Sequence, residues 1–91
     1  MVAHRRDVAG VEAGDVIGVR YESVHGSNAA EHSHVLTVTD ATHNVSATDS
    51  DGNEYVVRTD VTDATELAKM DKFGNDRRIG WVSDVTRIGW V

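Results

Sequence analysis

Alternation of apolar and polar residues, with a period of two, runs through most of this chain. In GDVIGVRYES, Ile17, Val19 and Tyr21 alternate with small or charged residues, and HVLTVTDA repeats the pattern with Leu36 and Val38. This period brings every second side chain to the same face of an extended strand. Both stretches are therefore predicted to be strands with one buried face.

Two further stretches, NVSATD and EYVVRTD, are joined by Ser50-Asp51-Gly52-Asn53. Asp-Gly tolerates the positive φ angles that a tight turn between antiparallel strands requires. The pattern predicts a β-hairpin at this point.

One helix is predicted among the strands. The stretch DATELAKMDKFG places Asp63 and Glu66 at the spacing of a capping box and ends at a glycine suited to a C-terminal cap. Leu67 and Met70 are three residues apart, which puts them on one helical face. We expect a helix of about two turns, with Leu67, Met70 and Phe73 plugging one end of a barrel.

The pentapeptide RIGWV occurs twice, in RIGWVSDVTRIGWV. In each copy Ile and Trp alternate with Arg, Gly and Val, so Ile79 should face the same way as Trp81, and Ile88 the same way as Trp90. Ser83–Thr86 suits a turn between the copies. We expect two successive strands with the tryptophans inward and the arginines on the opposite face. The glycine of each copy indicates a bend or a closely passing backbone.

A chain of 91 residues makes one domain, predicted over residues 1–91, with residues 1–10 a flexible N-terminal segment. A domain of this size has a thin core, because a large share of its surface stays in contact with water. The predicted core residues are Ile17, Val19, Tyr21, Leu36, Val38, Val45, Val57, Leu67, Ile79, Trp81 and Ile88.

The stretch GWVSDVTRI resembles the closing part of bacterial SH3-type domains, in which a Gly-aromatic-aliphatic strand, a small polar 3₁₀ turn and a final strand follow one another. AGDVIGV is similar to their first strand, and the Asp-Gly hairpin lies where their distal hairpin would. The resemblance implies an all-β fold: a small SH3-like barrel of five or six antiparallel strands with one short helix. The chain has no proline and both tryptophans lie in its last eleven residues, unlike the domains that bind proline-rich peptides.

The composition excludes several classes of protein. Without cysteine, neither a disulfide nor a thiolate metal site can form. The first ten residues are not followed by an apolar run, and no stretch approaches the roughly 20 apolar residues of a membrane-spanning helix. We predict a cytoplasmic protein with no membrane partner.

The charge balance is strongly acidic. Ten Asp and five Glu face seven Arg and only two Lys, for a net charge of −6. This composition looks like that of proteins from halophilic archaea, whose acidic surfaces stay soluble in molar salt. Adaptation to the solvent is the first interpretation, and binding of a basic partner is the second.

Four of the five histidines fall close together, namely His25, His32, His34 and His43. On a strand, His32 and His34 project from the same face, and imidazoles bind divalent transition metals. GSNAAEHSH is similar to the Gly-x5-His-x-His opening of the cupin metal motif, although the later glutamate and histidine of that motif are absent. The alternative is that histidine serves as one more polar surface residue.

The second candidate site is rich in arginine and tryptophan: Arg77, Arg78, Arg87 and Trp90 could contact a partner. Cations and flat rings are the groups that bind single-stranded nucleic acid. A net charge of −6 repels phosphate, and core packing of the tryptophans is the alternative.

No glycine-rich phosphate loop and no Gly-x-Ser-x-Gly motif occurs in the sequence. We therefore predict a non-catalytic binding module without a cofactor, acting in a salt-adapted cytoplasm. Its partner would be another protein or a second copy, bound through free strand edges. A cupin-like metal-binding protein or metalloenzyme using the His32/His34 pair is the alternative, and a nucleic-acid-binding barrel is the third hypothesis.

Overall fold

The computed structural model describes residues 3–23, 31–59 and 62–91. The described residues form one short helix and six strands: α1 (Arg5–Val8), β1 (Asp15–Ser23), β2 (Glu31–Asp40), β3 (Val45–Thr48), β4 (Glu54–Thr59), β5 (Thr65–Met70) and β6 (Asp76–Trp90). The predicted all-β class, with five or six strands and one short helix, is thereby confirmed, but the helix is α1 at Arg5–Val8 and not the one predicted to begin at Asp63. Within the described ranges, no helix has the length and hydropathy needed to cross a membrane.

The strands form a closed antiparallel barrel in the order β1-β2-β3-β4-β5-β6, and β6 pairs back with β1. Alternate residues of each strand face the barrel interior, as their period of two predicts. Eight predicted core residues are buried there: Ile17, Val19, Tyr21, Leu36, Val38, Val45, Val57 and Leu67.

Two hairpins at one end of the barrel have the same construction. Asp49 and Asp71 each begin an Asp-x-x-Gly-Asn loop, and each carboxylate accepts bonds from the backbone N–H groups two and four residues later, at 2.8–2.9 Å. Gly52 and Gly74 supply the positive φ angles of 86° and 82°. The predicted hairpin at Asp51-Gly52 is confirmed, and a second one joins β5 to β6.

The predicted helix beginning at Asp63 is wrong, because Thr65–Met70 is strand β5. Leu67 is buried as expected, but Phe73 is 77% exposed at the hairpin between β5 and β6. The strand bonds to neighbours on both sides, β4 and β6. These backbone pairings outweigh the weak local preference for a short helix.

The predicted turn at Ser83–Thr86 is also wrong. Both RIGWV copies lie in the single 15-residue strand β6. The first half of β6 pairs with β5 and the second half with β1, and Gly80 and Trp81 pair with both. One long strand therefore closes the barrel.

The core differs from the prediction along β6. Val82 is fully buried, Trp81 and Ile79 are half-buried, and Ile88 is 56% exposed. In the first copy, Gly80 and Val82 face inward, whereas the prediction placed Ile79 and Trp81 inward.

The segment before β1 contacts the barrel. Ala3 is buried, its N–H donates to the Val82 carbonyl at 2.7 Å, and its carbonyl accepts from the Thr65 N–H at 3.0 Å. Helix α1 follows and packs against β6. The flexibility predicted for residues 1–10 stays a prediction.

Candidate functional site

Both RIGWV copies contain a β-bulge at their isoleucine. Ala68 and Leu67 on β5 lie opposite Arg78 and Gly80, so Ile79 is the extra residue. In the second copy, Ile88 is the extra residue between the partners of Ile17 and Val16 on β1. One added residue makes the side chains that follow it project from the opposite face of the sheet. Arg and Trp, three positions apart, therefore reach the same face instead of opposite faces.

The prediction that arginine and tryptophan point apart is accordingly wrong. The Arg78 guanidinium carbon lies 4.7 Å from the Trp81 ring centroid, and that of Arg87 lies 5.2 Å from the Trp90 centroid. Both distances are within the range of a cation–π interaction.

Each Arg–Trp pair is joined to a carboxylate on a neighbouring strand. Arg78 pairs with Glu66 of β5 at 3.3 Å, and Arg87 pairs with Asp15 of β1 at 3.2 Å. In the strand register, these two carboxylate residues lie directly opposite Trp81 and Trp90. The repeat thus builds the same three-residue unit twice, once against each neighbour of β6.

Large apolar side chains are exposed around the second copy. Ile88 is 56%, Trp90 74% and Val35 60% exposed. Val35 lies opposite Gly18 in the β1–β2 register, and a Cβ added to Gly18 would lie 3.9 Å from the Ile88 Cγ2. Val35 and Ile88 therefore flank one glycine on the outer barrel face. Trp90 lies two residues beyond Ile88, at the end of β6. We call the exposed side chains of Val35, Ile88 and Trp90 the β6 apolar surface, although only Val35 and Ile88 are placed on one face by the strand register.

The histidines are divided between the two ends of β2. His32 and His34 lie near its beginning, whereas His43 follows its end. His25 lies outside the described residues. Among the residues that the structure describes, no three His, Asp or Glu side chains are grouped closely enough to hold a metal ion. The metal site stays a prediction.

His34 belongs to a cluster of rings at the end of the barrel that carries the two Asp-x-x-Gly-Asn hairpins. Its ring centroid lies 5.3 Å from those of Tyr21 and Tyr55, and His32 lies 5.6 Å from Tyr21. The Tyr21 hydroxyl and His34 Nε2 share a hydrogen bond of 2.9 Å. The Tyr55 hydroxyl donates to Asp49 at 3.2 Å.

Burial governs the ionisation of this cluster. It raises the pKa of Tyr21, and together with the bond to Asp49 it raises the pKa of Tyr55 to about 12. Burial also lowers the pKa of His34, although the nearby Asp49 carboxylate opposes the shift. At neutral pH the cluster therefore holds two neutral phenols and a neutral imidazole.

Two cationic residues on β5 and β6 lie beside this cluster of rings. Lys69 lies directly opposite Tyr55 in the β4–β5 register and opposite Arg77 in the β5–β6 register. Directly opposed residues in antiparallel strands project from the same face. Since Tyr55 points inward, Lys69 and Arg77 also project from the inner face, at the rim. We call Tyr21, His34, Tyr55, Lys69 and Arg77 the barrel mouth.

Sequence reasoning selected His32, His34 and Arg77 as site residues and predicted Tyr21 only as a core residue, but it missed Tyr55 and Lys69. Tyr55 could have been found, because it occupies the second position of EYVVRTD and alternates with Val57. Lys69 could not, because the stretch around it was interpreted as helical.

Comparison with known protein families, curated proteins and solved structures finds no match. The class of protein is therefore defined by its architecture, a small closed barrel of six antiparallel strands.

The lowered pKa of His34 predicts a loss of stability in mild acid. The unfolded chain takes up a proton near the usual pKa of 6.5, before the folded protein does. The free energy of unfolding should therefore fall as pH drops below about 6.5. Urea denaturation across this range measures the slope. His34→Gln should flatten it, whereas His43→Gln, on the exposed connection after β2, should not. Equal slopes in wild type and His34→Gln would contradict the prediction.

Proposed function

We propose that this protein is a non-catalytic interaction module that associates with a second copy of itself through the second half of β6. The observation that carries the proposal is the exposure of Trp90 and Ile88, 74% and 56%, on one strand. Large apolar side chains grouped on the surface of a small domain favour burial against a partner.

The backbone of β6 supports the same interface. Beyond Val82, whose carbonyl accepts from the Ala3 N–H, this strand pairs with β1 along one edge, and within the described residues no strand pairs with the other edge. Helix α1 also packs against β6. Unpaired N–H and C=O groups can bond to another extended chain. Two copies related by a two-fold axis present the same edge to each other, so one surface serves both partners.

Charge makes the association dependent on salt. Two chains of net charge −6 repel each other. Raising the ionic strength shortens the distance over which this repulsion acts. We infer that the protein works in the salt-rich cytoplasm that its composition favours. In molar KCl the repulsion is weak, whereas contact between apolar surfaces is retained.

We also infer that the barrel is SH3-like. The opening strand around Ile17 and the Asp51-Gly52 hairpin between the middle strands support this assignment. A crystal structure with a different strand order would contradict it.

Sedimentation in dilute and molar KCl tests the association. We expect dimers in molar salt and monomers in dilute buffer. Trp90→Ser and Ile88→Asn should each weaken the dimer about tenfold or more. Phe73→Asn is the matched control, because Phe73 is 77% exposed at the distant β5–β6 hairpin. Monomers in both buffers, or equal weakening by the Phe73 variant, would refute the proposal.

The two other hypotheses gain no support from the described contacts. His32 and His34 pack against Tyr21, and Arg78 and Arg87 are engaged by carboxylates. Metal binding and nucleic-acid binding stay predictions, to be checked by titration with zinc and with a single-stranded oligonucleotide.

A further inference from the structure

The barrel mouth contains an arrangement of charge that the fold itself does not require. Lys69 and Arg77 face each other across β5 and β6, and like charges in that position destabilise a sheet. Among the described residues, no carboxylate lies within ion-pair distance of either side chain. In a chain with only nine cationic Lys and Arg residues and fifteen acids, an unpaired facing pair needs another explanation.

The other cations of β4 and β6 show the usual arrangement. Arg58 binds Glu66 and Asp76, and Arg78 binds Glu66 and stacks on Trp81. Carboxylates are thus within reach of this sheet, yet among the described residues none is paired with Lys69 or Arg77, and Asp49, the carboxylate bonded to Tyr55 of the barrel mouth, is not in an ion pair with either.

A groove lies beside the pair. It has a volume of about 420 Å³ and is lined by Lys69, Met70, Asp71, Arg77 and Ile79, a size within the range of small-molecule sites. Met70 and Ile79 give it an apolar wall. Asp71 is the one carboxylate in the lining, and its Oδ1 already accepts two backbone bonds within the hairpin.

The rest of the barrel mouth supplies rings and hydrogen-bonding groups. Lys69 lies directly opposite Tyr55, which connects the cations with the cluster formed by Tyr21, His34 and Tyr55. Burial is the main cause of the lowered pKa of His34, and the Lys69 ammonium adds to it while the Asp49 carboxylate opposes it. Guanidinium and ammonium groups bind oxyanions, and the planar fork of arginine matches phosphate and carboxylate.

We propose that the barrel mouth binds a small organic anion, with its phosphate or carboxylate group between Lys69 and Arg77 and its apolar part along Met70 and Ile79. The site lies at the hairpin end of the barrel, away from the β6 apolar surface. Its ligand can therefore be tested independently of self-association.

The experiment is an amide NMR titration of the full chain with phenyl phosphate, benzoate, inorganic phosphate and the neutral benzyl alcohol. We expect saturable shifts around Lys69, Arg77 and Ile79 with phenyl phosphate or benzoate, and weaker binding of inorganic phosphate, which lacks the apolar part. The stronger of the two aromatic anions identifies the anionic group. Benzyl alcohol should bind least.

Two variants separate a site from general attraction of anions. Arg77→Gln should weaken the preferred anion about tenfold or more, because a hydrogen bond to a charged group is lost. Arg20→Gln removes the same charge from β1, where Arg20 pairs with Glu31, and should leave binding unchanged. Equal weakening by both variants, or no saturable shift with any anion, would overturn the proposal.

Discussion

Replacing Gly80 with alanine should destabilise the barrel by about 3 kcal/mol or more, at the upper end of the cost of overpacking a core. A Cβ at this position would lie 2.5 Å from the Glu22 carbonyl oxygen and would overlap the Tyr21 ring. The carbonyl belongs to a backbone paired with β6, so it cannot move without breaking the closure of the barrel. A small domain has little stability to lose.

The second copy of the pentapeptide provides the control. Gly89 is the equivalent residue, and the nearest atom to a Cβ there is the Val16 Cβ at 3.9 Å, an ordinary contact. Gly89→Ala should therefore keep its denaturation midpoint close to that of the wild type. Urea titration followed by tryptophan fluorescence measures both variants. Equal midpoints would show that β1 and β6 do not approach each other as closely as described.

Replacing Val82 with aspartate should prevent folding at neutral pH. Val82 is fully buried in the core, and an unpaired carboxylate in that position costs several kcal/mol, comparable with the whole stability of the domain. Circular dichroism should show loss of the β-sheet signal.

Val91 occupies the matching position in the second copy and is 90% exposed. Val91→Asp should therefore fold normally. If the Val82→Asp protein folds, Val82 does not face the core. Trp81 would then be the inward residue, as the sequence predicts, and the burial of Val82 described above would be wrong.

Much of the barrel could be predicted from the alternation of residues, because a period of two directly reports a half-buried strand. Ile17, Leu36 and Val57 were found in this way. Which residues of β6 face inward could not be predicted in this way. Bulges at Ile79 and Ile88 add single residues, and each addition exchanges the inner and outer faces. Gly80 and Gly89, which follow these isoleucines, indicate a bend or a close backbone, but they do not show that a residue is added to the strand.

The sequence contains a pattern that argues against the helix predicted to begin at Asp63. Asp71-Lys72-Phe73-Gly74-Asn75 repeats the spacing of Asp, Gly and Asn in Asp49-Ser50-Asp51-Gly52-Asn53, and both stretches form the same hairpin. Comparing the two would have predicted strands on both sides of the second turn. The candidate site depends on that correction, since only a strand brings Lys69 beside Tyr55 and Arg77.

The pairing of β1 with β6 also has a kinetic consequence. It joins Asp15 to Trp90 and is the most distant pairing along the chain among the described strands. The entropy of closing so long a loop must be lost before the contacts of this pair stabilise anything. The hairpins held by Asp49 and Asp71 can form early from local contacts, whereas the barrel has to wait for its first strand to meet its last. We therefore expect folding in milliseconds to seconds, as for other barrels dominated by distant pairings.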